Sequence, residues 1–232
     1  MTRACHGRHG RKRSSRSIKH GNRQARLACN PVKRPRHRRS LLNEGFFWAR
    51  RTCGANMPDE LLDRDAVLDC LRTLGDLLAQ RNTPHQSIIL IGGSYLALLD
   101  LREATRDVDT VTHLDAATRL AISDVADLKG LSPKWLNDLA AGFRPAGLSS
   151  TNCSPILEHR ALTVLAPSPD WVFLMKLYAA RTVDYDDMVV LWPLCRFESA
   201  EDAVRRYWDA YPNAPEDQYL IDYVKEISER SQ

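Results

Sequence analysis

From Met57 onward the sequence predicts an α/β (α+β) fold, a small mixed sheet surrounded by helices, and three observations predict it. Ser87 to Ile91 is a β-rich and almost wholly apolar run, the composition of a strand covered on both faces. Segments with apolar residues at helical spacing lie on both sides of it. Strand-like runs are few among many helical ones and no stretch repeats, which fits helices packed around one small sheet.

Each element has its own reason. Leu61, Leu62, Val67, Leu68, Leu71, Leu74, Leu77 and Leu78 recur at helical spacing, and Asp59 and Glu60 sit where the positive end of a helix dipole favours acids. "NTPHQ" breaks that helix before the strand at Ser87. Ser94 to Leu101 returns to helix, and "DVDTVTHL" alternates as a second strand would. Ala116 to Leu128 and Ser132 to Ala141 read as helices, the latter opened by a Ser-Pro start signal. "GFRPAGLSSTNCSPILEH" reads as loop, and "RALTVLAP" as a third strand. A helix from Pro169 to about Arg181, another through Met188 to Leu191, and two more at Ala200 to Ala210 and Tyr219 to Glu229 give a helical C-terminal part.

The charge divides the chain in two. Residues 1–56 hold 16 Lys/Arg against one acid, Glu44, a net +15, whereas residues 57–232 hold 17 basic and 28 acidic residues, a net −11. The leader has no apolar periodicity and repels itself, so disorder is expected there. Three readings of it stay open: a nucleic-acid arm whose arginines neutralise phosphates, an Arg-rich transit peptide, or an untranslated upstream frame with Met57 as the natural start. The domain is then 57–232. Six cysteines without a close pair, and no secretory signal, suit reduced thiols in a cytoplasmic protein; no stretch is long and apolar enough for a membrane span.

The chemistry concentrates between residues 90 and 111. Gly92 and Gly93 let backbone N–H groups approach a ligand closely, and Ser94 begins a helix whose positive end favours phosphate. Asp107 and Asp109, two apart in a strand, present their carboxylates on one face, where they repel unless a cation lies between them. Mg²⁺ takes one or two carboxylates together with substrate phosphates, so a nucleoside triphosphate with Mg²⁺ suits both halves of the segment. Lys176 interrupts the apolar helix "WVFLMKLY", where a cation needs a partner.

"GGS…TRDVDTV" resembles the nucleotidyltransferase signature of the DNA polymerase β superfamily. "LAPSPDWVFLMKLYAARTVDYDDMVVL" is similar to the second motif of its AbiEii/MenT-like toxin branch, in which a lysine-bearing helix is followed by Arg and Asp-x-x-Asp. The resemblance implies a polymerase β-type core. By position, Gly93 and Ser94 would hold the triphosphate, Asp107 and Asp109 would bind Mg²⁺, Lys176 would meet the nucleotide's phosphates, and Asp187 (or Asp184) would orient Lys176 or the acceptor. The superfamily's third metal-binding carboxylate has no counterpart, since "RALTVLAP" carries no acid.

The expected activity is Mg²⁺-dependent transfer of a nucleotide from an NTP to an acceptor hydroxyl. The resemblance implies a tRNA 3′ end as acceptor and a role as the toxin of a toxin–antitoxin pair, with a cognate antitoxin as partner. Two alternatives stand beside it: an antitoxin-type nucleotidyltransferase that modifies a protein, and a non-catalytic nucleotide-sensing domain.

Overall fold

Residues 61–232, which the computed structural model describes, begin with a helix that Asp63 caps. The Asp63 carboxylate accepts from the Ala66 backbone N–H at 2.8 Å, and helix α1 (Arg64–Gln80) follows, burying Val67, Leu71, Leu74 and Leu78 along one stripe. These residues belong to one compact unit, Cys53–Gln232; the leader expected over residues 1–56 lies outside the described residues.

The sheet has five strands in the order β3-β2-β1-β5-β4. Strand β1 (Gln86–Ile91) is central, antiparallel to β2 (Val108–Thr110) and parallel to β5 (Leu162–Pro167). The outer strands β3 (Leu136–Asn137) and β4 (Cys153–His159) pair with β2 in parallel and with β5 antiparallel. The mixed α+β architecture is therefore as expected.

The sheet has two unlike faces. Ile88, Leu90, Val108, Leu162 and Val164 join the main core with α1, α3 (Ala116–Lys129), α4 (Pro169–Ala179), α6 (Ala200–Ala210) and α7 (Leu220–Arg230). Ile89, Ile91, Val111 and Leu165 form a smaller cluster on the other face, with Trp171 and Met175 of α4 packed against it. Asp109 lies directly opposite Ile91, so its carboxylate stands on the face of the smaller cluster. That pairing decides where the site is built.

Several expectations need correction. Ser132 to Ala141 is not a helix: the chain turns, pairs as β3, and continues as a single 3₁₀ turn, Leu139–Phe143. The Val108 N–H donates to the Trp135 carbonyl at 2.6 Å, and the Trp135 indole, fully buried, donates to the Ile122 carbonyl. Sheet pairing and this anchor outweigh the Ser-Pro start signal. The segment read as loop up to His159 ends in strand β4; Pro155 and the polar residues disguise a largely exposed edge strand, where proline is tolerated. The second strand is shorter than "DVDTVTHL": past Thr110 the Ile89 N–H donates to the Thr112 hydroxyl at 3.0 Å and the Thr110 hydroxyl donates to the Ile89 carbonyl at 2.7 Å, so side chains take over from the backbone ladder. Helix α2 (Gly92–Leu98) also stops early, with Asp100 in the left-handed region. The remaining helices, α5 (Tyr185–Leu191) included, lie where their periodicity put them. Among the described residues no helix is long and apolar enough to cross a membrane.

Candidate active site

The end of β1 sets the geometry. Gly92 has φ +71°, a conformation open to glycine and strained for other residues, and a Cβ there would lie 2.6 Å from Asp109 Oδ2. Carboxylate and turn are thus in contact because position 92 has no side chain. At Gly93 a Cβ would meet Thr105 Oγ1 at 2.7 Å and Arg102 Nη1 at 2.8 Å, so this glycine makes room for an arginine lying across the turn. Ser94 is fully buried, and its hydroxyl donates to the Ile91 carbonyl at 2.9 Å. The Ser94 side chain braces the turn from inside, so the turn faces a ligand with backbone.

Asp107 and Asp109 share one neutral partner. Asn137 Nδ2 donates to Asp109 Oδ1 at 3.0 Å and approaches Asp107 Oδ2 at 3.5 Å. Strand pairing explains this, since Asn137 is the register partner of Asp109 across β2 and β3. Burial pushes the Asp109 carboxyl above its ordinary value, and the charge of Asp107 pushes it further. The Asn137 hydrogen bond and the charges of Arg181 and Lys176 offset only part of that rise. The pair therefore lacks a full counter-charge.

Lys176 has the opposite surroundings. It is 5% exposed and donates from Nζ to Asp184 Oδ1 at 2.8 Å and to Asp187 Oδ2 at 2.7 Å. Each carboxylate gives its second oxygen to an arginine: Arg181 Nε donates to Asp184 Oδ2 at 2.7 Å, and Arg102 Nη2 lies 3.5 Å from Asp187 Oδ1. Burial alone would raise the Asp184 carboxyl, but the hydrogen bonds and charges of Lys176 and Arg181 outweigh it and hold it below the ordinary carboxylate value. Arg181 is held more firmly protonated in turn, chiefly by its hydrogen bond to Asp184.

A cavity of about 460 Å³ joins the two groups. Its polar lining is Asp109, Lys176 and Arg181, Gly92 contributes backbone, and Phe143 and Met175 are among its apolar walls. Gly92, Asp109 and Lys176, distant in sequence, thus meet at one opening. Asp107 stands beside them through Asn137, while Asp184 and Asp187 lie behind Lys176 as its partners. Gly93 and Ser94 support the turn outside the cavity wall.

Arg102 and Asn137 enter although no motif singled them out, and Arg181, the arginine of the second motif, enters with a role that the motif did not give it. Asn137 was hidden in a stretch with a helix signal. Arg181 follows the lysine helix and sits at i−3 to Asp184, a spacing that foretells an ion pair. Arg102 flanks the carboxylates in sequence and reads there either as a phosphate contact or, more commonly, as a solvated loop arginine, and its contact with the turn depends on the bare Cα of Gly93.

The donor set can be tested against Mg²⁺. Two adjacent carboxylates, one of them raised by burial and repulsion, suit a hard cation that also takes substrate oxygens. No third acid joins them: strand β5 presents Leu165 within the apolar cluster on that face, and no group of three or more His, Cys, Asp or Glu converges among the described residues. The residues fit one metal ion, completed by substrate, better than a symmetric pair. Compared with known protein families, curated proteins and solved structures, the chain matches none.

Proposed function

We propose that this protein is a Mg²⁺-dependent nucleotidyltransferase that moves a nucleotide from an NTP to an acceptor hydroxyl and releases pyrophosphate. The observation that carries the reading is the contact of Asp109 with the bare Cα of Gly92, at the opening of a cavity walled by Lys176 and Arg181. It brings a carboxylate pair in need of a cation against a turn open to an anion. Bound Mg²⁺ would supply charge neutralisation at the phosphates. The other roles belong to the chain: Asp107 and Asp109 hold the ion, and Asn137 fixes the orientation of Asp109. The Gly-Gly turn lets phosphate approach the backbone, and the apolar walls keep water from the reacting phosphoryl group. The acceptor oxygen attacks the α-phosphorus, the bond to pyrophosphate breaks, and the hydroxyl proton leaves to solvent. Fixed charges and positioning do most of the work in such transfers.

A tRNA 3′ end as acceptor, and the toxin's place in a toxin–antitoxin pair, are the acceptor and role that the sequence resemblance favours. The acid-free strand β5 favours a second reading, a nucleotide-sensing domain without transfer. Incubation with each labelled NTP, Mg²⁺ and either total tRNA or protein separates them. Label on RNA supports the toxin-type activity, label on protein the antitoxin-type activity, and binding without label the sensor. Label transfer that persists in Asp109→Ala would refute this site.

A further inference from the structure

We infer that Arg102 and Arg181, rather than Lys176, are the cations that touch the polyphosphate of the nucleotide. The inference rests on the nucleotidyltransferase reading and assigns its phosphate ligands. Sequence reasoning ranks Lys176 first. In the fold Lys176 is almost fully buried and its ammonium is engaged by two buried carboxylates. Two of its three N–H donors are taken, and moving the ammonium toward a phosphate would cost Asp184 and Asp187 one buried partner each, leaving each with its arginine alone.

The arginines are placed differently. The Arg102 and Arg181 side chains are 39% and 64% exposed, and each is tethered at one edge only, to Asp187 and Asp184 respectively. A guanidinium has five N–H donors in a planar fork, so a single carboxylate tether leaves others for a second anion. Lys176, Arg102 and Arg181 carry three positive charges against the two of Asp184 and Asp187, and Arg181 also acts on Asp107 and Asp109, so the third positive charge is directed at the carboxylate pair until a divalent cation takes that place. Lys176 is then a positioning residue, the buried pin that fixes both carboxylates and through them both arginines.

Asp100 and Ala180 end helices α2 and α4 in the left-handed conformation usual at a helix C-terminus, which turns the chain at Arg102 and Arg181. Arg102 lies within reach of the Gly92–Gly93 turn, and Arg181 lines the cavity beside Asp109, whose charge it lowers in cost. One guanidinium, Arg181, thus stands in the cavity beside Asp109, and the other, Arg102, lies outside its lining at the Gly93 side of the turn.

Titration calorimetry with Mg²⁺-tripolyphosphate and with Mg²⁺-ATP, on the full chain and on Arg102→Ala, Arg181→Ala and Arg102→Lys, tests this. Loss of one charge-assisted contact should weaken tripolyphosphate binding about tenfold or more in each alanine variant; Arg102→Ala should keep a melting temperature close to wild type, and Arg181→Ala should lower it, since the buried Asp184 loses a partner. Arg102→Lys should recover part of the affinity, because it keeps the charge and loses the fork. Where the NTP is turned over, KM should rise more than kcat falls. If wild type binds tripolyphosphate and both alanine variants bind it equally well, the arginine assignment is overturned while the nucleotidyltransferase reading stands. If wild type binds neither tripolyphosphate nor any NTP, both are overturned.

Discussion

Two pairs of aspartates belong to the same site, one reaching its opening through Asp109 and the other standing behind Lys176, and their surroundings differ in one respect. Asp184 and Asp187 are clamped by a lysine and two arginines, so their charge is answered within the fold. Asp107 and Asp109 are answered at close range by a neutral amide. The first pair makes a structural joint between α4 and α5. The second leaves an electrostatic deficit that a ligand can fill, and such deficits are where function is to be sought.

The largest effect that this difference predicts belongs to Lys176. Lys176→Met should strand two buried carboxylates at a penalty of about 3–5 kcal/mol, a loss of roughly 10 °C in melting temperature for a domain of this size. Activity should fall with it, because the arginines lose their anchors. Thermal unfolding checks the claim, and a shift of only a degree or two would mean that Lys176 is not the joint. Asp109→Asn should act in the opposite sense. In metal-free buffer its melting temperature should match or slightly exceed wild type, since a repelling charge has gone, while transfer and any Mg²⁺-induced stabilisation should vanish. A clear destabilisation without metal would show that the pair supports the fold instead of awaiting a cation.

Asp109 and Asp184, one from each pair, should also respond to pH with opposite signs. Asp109 titrates above the ordinary carboxylate value in the fold, so between its unfolded and folded pKa the native state binds more protons than the unfolded state. Its contribution to stability therefore falls as pH rises through that window, and over the same rise its affinity for Mg²⁺ grows. Asp184 titrates below the ordinary value, so its contribution is fully present above the unfolded pKa and is lost as pH falls through the folded one. Melting curves of wild type and Asp109→Asn across the acid range, with and without Mg²⁺, should separate the two. Identical pH dependence in both proteins would remove Asp109 as the source.

Much of this was legible in sequence because it depends on short-range order. The strand–Gly-Gly–helix segment, the Asp-x-Asp pair and the lysine in an apolar helix are all local patterns; the lysine helix lies where expected, whereas β2 begins at Val108, leaving Asp107 just before it, and α2 ends at Leu98. The charge partners were less legible, since they depend on contacts between segments. That Lys176 needs a partner follows from its apolar neighbours; that it has two, each sharing an arginine, follows from how the chain folds back after Ala180. Asn137 was invisible for a different reason. Its segment carries a helix start signal, and only pairing with β2 turns it into a strand that aims an amide at Asp109. Strand β4 was missed because an edge strand with Pro155 and exposed polar residues has the composition of a loop.

Asn137 supplies the smallest and sharpest test of the contrast. Its amide is the hydrogen-bond donor that the fold supplies to Asp109 in place of a full charge, and the bond lowers the Asp109 carboxyl against the effects of burial and Asp107. Removing it in Asn137→Ala should raise Asp109 further, because burial and the charge of Asp107 then act without the amide's hydrogen bond. Mg²⁺ affinity should then fall several-fold near the raised pKa and recover at higher pH, where Asp109 is ionised without the amide's help. A purely structural Asn137, tying β3 to β2, predicts something else: a lower melting temperature and a loss of Mg²⁺ affinity that does not recover as pH rises. Mg²⁺ titrations at two pH values, one close to the carboxylate range and one near neutrality, distinguish the two. Recovery at the higher value would identify Asn137 as the partial counter-charge of a site whose full counter-charge arrives with the substrate.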